Sequence, residues 1–298
     1  MDETLHVAPE VAAAIQANKP LVALESTVIA HGLPRPQNLE TARRLEAIVR
    51  EGGATPATIA VIDGNLCAGL TDKQLNLLAE SNDIKKISTR DLALAVARKW
   101  TGATTVAATI WIARRAGIEV FATGGIGGVH RGSLPDVSAD LPELARSRMI
   151  VVCSGAKIVL DLPATREWLE THGVAVVGYQ CDELPAFYSR KSGLPIDMRV
   201  DSPAEVVEIY RAQQHLGISC ALLVTAPVPK DFELPSEQLK FVLDNVLADA
   251  VSKNIGGREL TPFLLNQMAQ LSGGSTLRAN IALLENNARI AAQIASAI

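Results

Sequence analysis

Aromatic side chains are scarce in this sequence, at 4% of 298 residues, although apolar residues together make up 48%. A core built from it must be aliphatic, made of Ala, Val, Leu and Ile. Excess positive charge is also missing. A net charge of −4 and a pI near 5.8 argue against nucleic acid as the main partner, because that partner favours a basic face. A small anionic ligand stays open, since it needs only a local positive site. The four cysteines, Cys67, Cys153, Cys181 and Cys220, are widely separated and form no C-x-x-C pair. They are expected to be reduced, mostly buried thiols, neither a disulfide frame nor a zinc site. No apolar run approaches the ~18 residues of a membrane span, and the opening MDETLHVAPE lacks the apolar stretch of a secretory signal. The expectation is a soluble, cytoplasmic protein. Repeats, low-complexity tracts and long linkers are lacking too, so one domain over 1–298 is expected.

What is present is alternation. Short apolar runs at 21–29, 57–62, 84–88, 118–124, 149–155, 174–179 and 218–226 read as strands, with amphipathic segments such as NLETARRLEAIVREGG and TREWLETHG between them. Thr71 before Gln74, Ser88 before Asp91, and Ser202 before Pro203 and Glu205 carry helix-start chemistry. Gly173 stands where a helix should stop. Near-continuous apolar strands alternating with helices imply an α/β fold, a mainly parallel sheet covered on both faces. From about 236 to 298 the pattern turns wholly helical, in three segments, as a C-terminal flank.

Sheets of this kind bind ligands beyond the carboxyl ends of their strands, so polar residues just after apolar runs matter most. Glu25 lies in LVALESTVIAHGLP among uncharged residues; it either pairs internally or does acid–base work. His31 in the following turn reads as a turn residue more than a catalyst. In DIKKISTRD, alternation turns one of Lys85 and Lys86 inward, unless the strand is an edge with solvated lysines. The start of TGATTVAATIWIARRAG, at Thr104–Val106, offers hydroxyls and helix N–H groups to a phosphate, or merely a threonine N-cap.

FATGGIGGVHRGSLPDVSAD (121–140) is the most unusual stretch. Its glycines fit neither the dinucleotide fingerprint nor the Walker loop, but they suggest a backbone that approaches a ligand closely. Asp136 and Asp140 fall four apart, on one helix face if a helix begins there. They would suit a hard ion such as Mg²⁺ or Mn²⁺, or simply serve a helix start capped by Ser138. In MIVVCSGAKIVL a single lysine, Lys157, follows an apolar strand. An amine kept from water sheds its proton more easily, and a neutral amine attacks carbonyl carbon. A snorkelling lysine reaching for solvent is the alternative.

Together ALEST with HGLPRPQN, KISTRD, GATTVAAT, FATGGIGGVHRG with DVSADL, CSGAK and the C-terminal TPFLLNQMAQLSGGSTLRANIALLENNA resemble the pseudouridine-5′-phosphate glycosidases, or pseudouridylate synthases. The likeness runs from about residue 8 to the end. It implies reversible cleavage of the C–C glycosidic bond of pseudouridine 5′-phosphate to uracil and ribose 5-phosphate. It also implies a divalent metal, typically Mn²⁺, and a homotrimer of three-layer α/β/α subunits. By the same resemblance Lys157 is the covalent nucleophile, Glu25 the proton donor and Asp136 the metal ligand. Ser138, Ala139, Asp140, Lys86, Thr105 and Val106 meet the substrate, and His130 and Asn280 stand near the pocket. Departures are a short SLP segment before DVSAD and Cys181-Asp182 after GYQ. A pigment-pathway relative of the same family, a Schiff-base lyase acting on another sugar phosphate, and a non-catalytic nucleotide-binding module are the competing readings.

Overall fold

The computed structural model describes residues 4–131, 136–253, 255 and 260–298. Among them are the strands β1 (Leu5–Val7), β2 (Leu21–Glu25), β3 (Thr55–Ile62), β4 (Asn65–Ala68), β5 (Lys85–Ile87), β6 (Gly102–Thr104), β7 (Val120–Ala122), β8 (Val129–His130), β9 (Ile150–Cys153), β10 (Leu160–Asp161), β11 (Ala175–Tyr179), β12 (Met198–Val200) and β13 (Leu222–Thr225). The main sheet runs β1-β4-β3-β2-β7-β9-β13-β11-β12, with β6 and β5 branching from β3. From β3 to β12 every neighbouring pair is parallel; β3 meets β4 and β6 antiparallel. All residues of β2, β7, β9 and β13 are buried. Successive side chains point to opposite faces of a sheet, so helices must cover both. The α/β fold with a mainly parallel sheet is as expected.

Local chemistry explains the helix ends. Thr71 and Gln74 form a reciprocal capping box at the helix Asp72–Glu80, and Ser202 accepts from the Glu205 N–H ahead of Pro203–His215. The C-terminal helices are Ser236–Ser252, Leu260–Leu271 and Ser275–Ala295. The last is not peripheral. It lies across β2, β7 and β9 and against the helix Gln37–Glu51, with Leu283, Ala288, Ala291 and Ile294 inside the main core.

All four cysteines are free; Cys67, Cys153 and Cys220 are buried and Cys181 half-buried. Burial pushes the Cys153 thiol up to about 12 and those of Cys67 and Cys181 to about 11. Burial thus moves these thiols away from the thiolate form that a nucleophile needs.

Candidate active site

Strands β2, β7 and β9 are adjacent and parallel, so their carboxyl ends open on one edge of the sheet. Glu25 ends β2, Thr123 follows β7 and Ser154 follows β9. Just beyond them lies a cleft of about 370 Å³. Glu25 is only 8% exposed. Thr123 Oγ1 donates to its Oε1 at 2.5 Å and Thr27 Oγ1 to its Oε2 at 2.7 Å. Two hydroxyls thus hold the carboxylate at the cleft wall. Next to it, Ser26 Oγ donates to the Ile59 carbonyl (2.6 Å) and accepts from the Thr104 N–H (2.8 Å). That link fixes the fork where β3 changes partner from β2 to β6.

The helix Val106–Arg115 starts after β6 with Thr105 as its N-cap. Its first turn is less open to a phosphate than the sequence suggests. Ala107 N–H donates to Asp140 Oδ1 at 2.9 Å, and Ala108 N–H to Thr105 Oγ1. Val106 is buried, with its side chain in the core.

Gly124, Gly125 and Gly127 of the run after β7 line the cleft, and close packing of protein against the run is a second use that the sequence did not show. The missing side chains make room for protein. A Cβ on Gly125 would lie 2.7 Å from the Phe187 ring, and one on Gly127 would lie 2.2 Å from Ser138 Oγ and 2.7 Å from Asp140 Oδ2. The backbone is drawn close so that Gly127 N–H can donate to Asp140 Oδ2 at 2.8 Å. Asp140 is 5% exposed, and both its oxygens are taken by backbone N–H groups from two different elements.

Asp136 and Asp140 do not share a helix face. The helix is Asp140–Arg146, and Asp136 lies ahead of it in extended chain, its carbonyl accepting from His130 N–H at 2.8 Å. Ala139 holds the N-cap position, while Ser138 Oγ accepts from Asp140 N–H at 3.3 Å. Asp136 itself is exposed at the cleft. Its upstream neighbours 132–135, including the SLP segment, lie outside the described residues.

Lys157 follows β9 by four residues, in a turn fixed by its own N–H to the Ile126 carbonyl (3.1 Å). Gly155 makes that turn at φ 83°, where a Cβ would lie 2.1 Å from the Pro185 carbonyl. Lys157 is half-buried, lines the cleft and makes no ion pair among the described residues. Lys85 is exposed, whereas Lys86 turns to the cleft. Of the sequence-derived residues, Glu25, Lys86, Thr105, His130, Asp136, Ser138, Ala139, Asp140, Lys157 and Asn280 all line it; Val106 does not.

Other lining residues were not anticipated. His31, read as a turn residue, sits in a π-helical turn (Val28–Gly32) on the cleft wall. Burial and the nearby Lys86 ammonium hold its imidazole below its ordinary pKa. Its Nε2 is enclosed with no hydrogen-bond partner among the described residues. Phe187, at φ 62°, also lines the cleft, its N–H bound to the Ser154 carbonyl at 3.0 Å. LPAFYSR gives no local sign of it. Thr123 was findable by the strand-end rule.

A buried acid and an amine with no ion pair among the described residues share one cleft beyond adjoining parallel strand ends, which defines an α/β protein with an acid and a lysine on one ligand-sized site. The particular family follows from comparison. The family model described as "Indigoidine synthase A like protein" matches residues 10–297, and the chain belongs to that family. Pseudouridine-5′-phosphate glycosidases of Solibacter usitatus and Herpetosiphon aurantiacus are 50% and 52% identical to it, over 98% and 99% of this chain and 98% of each relative. Among solved structures, an indigoidine synthase A-like protein from Thermotoga maritima is 39% identical, with a TM-score of 0.89 over 98% of this chain and 95% of that one. The prealnumycin C-glycosynthase AlnA, in complex with ribulose 5-phosphate, is also 39% identical, with a TM-score of 0.92 over 100% of this chain and 97% of that one.

Proposed function

We propose that this chain is an enzyme that reversibly cleaves the C–C glycosidic bond of pseudouridine 5′-phosphate, giving uracil and ribose 5-phosphate in pseudouridine breakdown. The single observation that carries this is the meeting of Glu25 and Lys157 on one cleft in a chain half-identical to pseudouridine-5′-phosphate glycosidases over its whole length. AlnA's complex with a five-carbon sugar phosphate supports the same ligand class.

The leaving group of a C-glycoside is a carbanion, so protonating a leaving oxygen does not release it. Glu25 instead gives its proton to the ring oxygen O4′ as the C1′–O4′ bond breaks, with electrons drawn from the uracil ring. The Lys157 nitrogen adds to C1′ through its lone pair, the uracil ring takes the electron pair, and the amine loses a proton to the Glu25 carboxylate. The nitrogen lone pair then forms an iminium as the C1′–C5 bond breaks and Glu25 passes the proton taken from the amine to C5, releasing uracil. Water hydrolyses the iminium to the sugar aldehyde and restores the amine. One hard step becomes several easier ones. The Thr27 and Thr123 hydroxyls hold Glu25 in place for its transfer. Lys86 supplies charge for the phosphate, together with the Thr105 hydroxyl at the helix start, both of which line the cleft.

Asp136 is the candidate ligand for a divalent cation such as Mn²⁺. Among the described residues no group of three His, Cys, Asp or Glu side chains is placed to hold a metal. One exposed carboxylate completed by water and substrate oxygens fits a hard ion of the Mg²⁺ or Mn²⁺ kind, not zinc. Such an ion would supply positive charge beside the ligand's oxygens. A homotrimer in the cytoplasm is part of the proposal. Exposed Phe241 and Leu271 on the C-terminal helices are apolar surface of the sort a subunit contact covers. Among the described residues no helix is long and apolar enough to cross a membrane.

The test is direct. Purified chain, uracil, ribose 5-phosphate and Mn²⁺ should yield pseudouridine 5′-phosphate by mass spectrometry, and borohydride should trap a pentose phosphate on Lys157. A folded Lys157→Ala protein should do neither. Parental turnover in that variant would refute the mechanism, and no product from the parent would refute the substrate.

A further inference from the structure

We propose that Asn287, 130 residues beyond the nearer of the two groups it serves, is a positioning residue that fixes the Glu25 acid and the Lys157 amine relative to each other. The inference rests on the catalytic roles proposed above. Asn287 lies on the helix Ser275–Ala295, is fully buried and does not touch the cleft. Its Nδ2 donates to the Thr123 carbonyl at 2.9 Å and to Ser154 Oγ at 3.1 Å, while Ser154 Oγ approaches its Oδ1 at 3.3 Å.

Each partner leads to one reacting group. Thr123 is the residue whose hydroxyl donates to Glu25 Oε1. Ser154 begins the turn that carries Lys157 and binds the Phe187 N–H on the cleft wall. One side-chain amide thus bridges the ends of β7 and β9 beneath both groups. The orientation of the amide is fixed by chemistry. Turning it over would set Oδ1 against the Thr123 carbonyl, acceptor against acceptor. Only a donor at this place joins the two strand ends. Satisfying buried polar groups is an ordinary duty of asparagine, so the test must read more than stability.

Three variants supply that reading in the cleavage of pseudouridine 5′-phosphate. Asn287→Leu keeps the volume and removes both donors. Its kcat should fall about 10²-fold, the cost of misplacing reacting groups by about 1 Å, with KM held within about threefold. Asn287→Asp presents a carboxylate that can donate only when protonated. Its kcat relative to the parent should therefore recover as pH is lowered from about 8 to about 6, which the leucine variant cannot imitate. A folded leucine variant with kcat within about twofold of the parent, or an aspartate variant with the parental pH profile, overturns the proposal. Should neither variant fold, Ser154→Ala reads the same bridge by cutting one arm. A fall in kcat of about fivefold or more at constant KM supports it, and an unchanged kcat overturns it. An inactive parent would instead condemn the substrate reading and is seen without any variant.

Discussion

Asp140→Asn is the substitution that best separates a scaffold role from a substrate contact. The Asp140 carboxylate accepts from Ala107 N–H at 2.9 Å and Gly127 N–H at 2.8 Å. An amide has one acceptor oxygen and an NH₂ that only donates, so it satisfies one of these N–H groups and points its NH₂ at the other. The loss is one charge-assisted hydrogen bond, worth about 1.5–3 kcal/mol, plus about 1–3 kcal/mol for a buried N–H left unpaired. The two overlap, and about 3–5 kcal/mol is the expected total. At about 2.1 cal/mol/K of unfolding entropy per residue, a chain this long has roughly 0.6 kcal/mol/K, so its midpoint should drop about 5–8 °C. Scanning calorimetry on the substrate-free protein measures this. Asp136→Asn is the control. Its side chain is exposed and makes neither bond, so its midpoint should stay within about 1 °C, while its activation by Mn²⁺ should weaken. An Asp140→Asn midpoint within about 1 °C of the parent would refute the reasoning, because two buried backbone donors would then not need the carboxylate.

Three further outcomes follow from the same geometry. Glu25→Gln should fold normally, since the Thr27 and Thr123 hydroxyls can rotate to accept from an amide, but kcat should drop about 10²–10⁴-fold; a kcat within tenfold of the parent counts against Glu25 as the acid. Lys86→Ala should raise KM for the phosphate ester about 10-fold or more, the worth of a charged hydrogen bond, and barely alter the weak reaction of the unphosphorylated nucleoside. Equal losses on both substrates would rule out phosphate binding there. For His31, burial and Lys86 lower the folded-state pKa below the ordinary 6.5. The unfolded chain therefore binds more protons in that window, and stability is lost as pH falls below 6.5. Thermal midpoints from about pH 8 to about pH 5 should decline less in His31→Gln than in the parent; identical slopes would contradict the assignment.

What could be read from the residues was local. Apolar runs located β2, β3, β5, β7, β9, β11 and β13, and side-chain caps located helix starts at Thr71 and Ser202. The short strands β1, β6, β8, β10 and β12 hold two or three residues each, too few to show a period. β4 had a readable signal in Asp63-Gly64, whose φ values of 50° and 82° build its hairpin with β3. Glycines 124, 125, 127 and 128 were legible as unusual, but their full cause was not. A glycine that admits a ligand and one that admits Phe187 or Asp140 look alike until the chain is folded.

Non-local order explains the rest. Glu25, Thr123 and Ser154 are separated by about a hundred and about thirty residues, and nothing in their own segments says that β7 lies between β2 and β9. Once it does, the register Leu24↔Ala122 and Ala122↔Val152 brings the three strand ends level. Parallel pairing sends all three ends to the same edge, and a parallel neighbour must be reached by a crossover that covers a face. The sheet's topology therefore makes the convergence of acid and amine, while single residues only tune it. That ranking has a consequence. Substitutions that keep the strand ends aligned but alter one lining group should change kcat or KM separately. Substitutions beneath the sheet edge, at Thr123, Ser154 or Asn287, should change kcat through geometry although none of them is a reacting group.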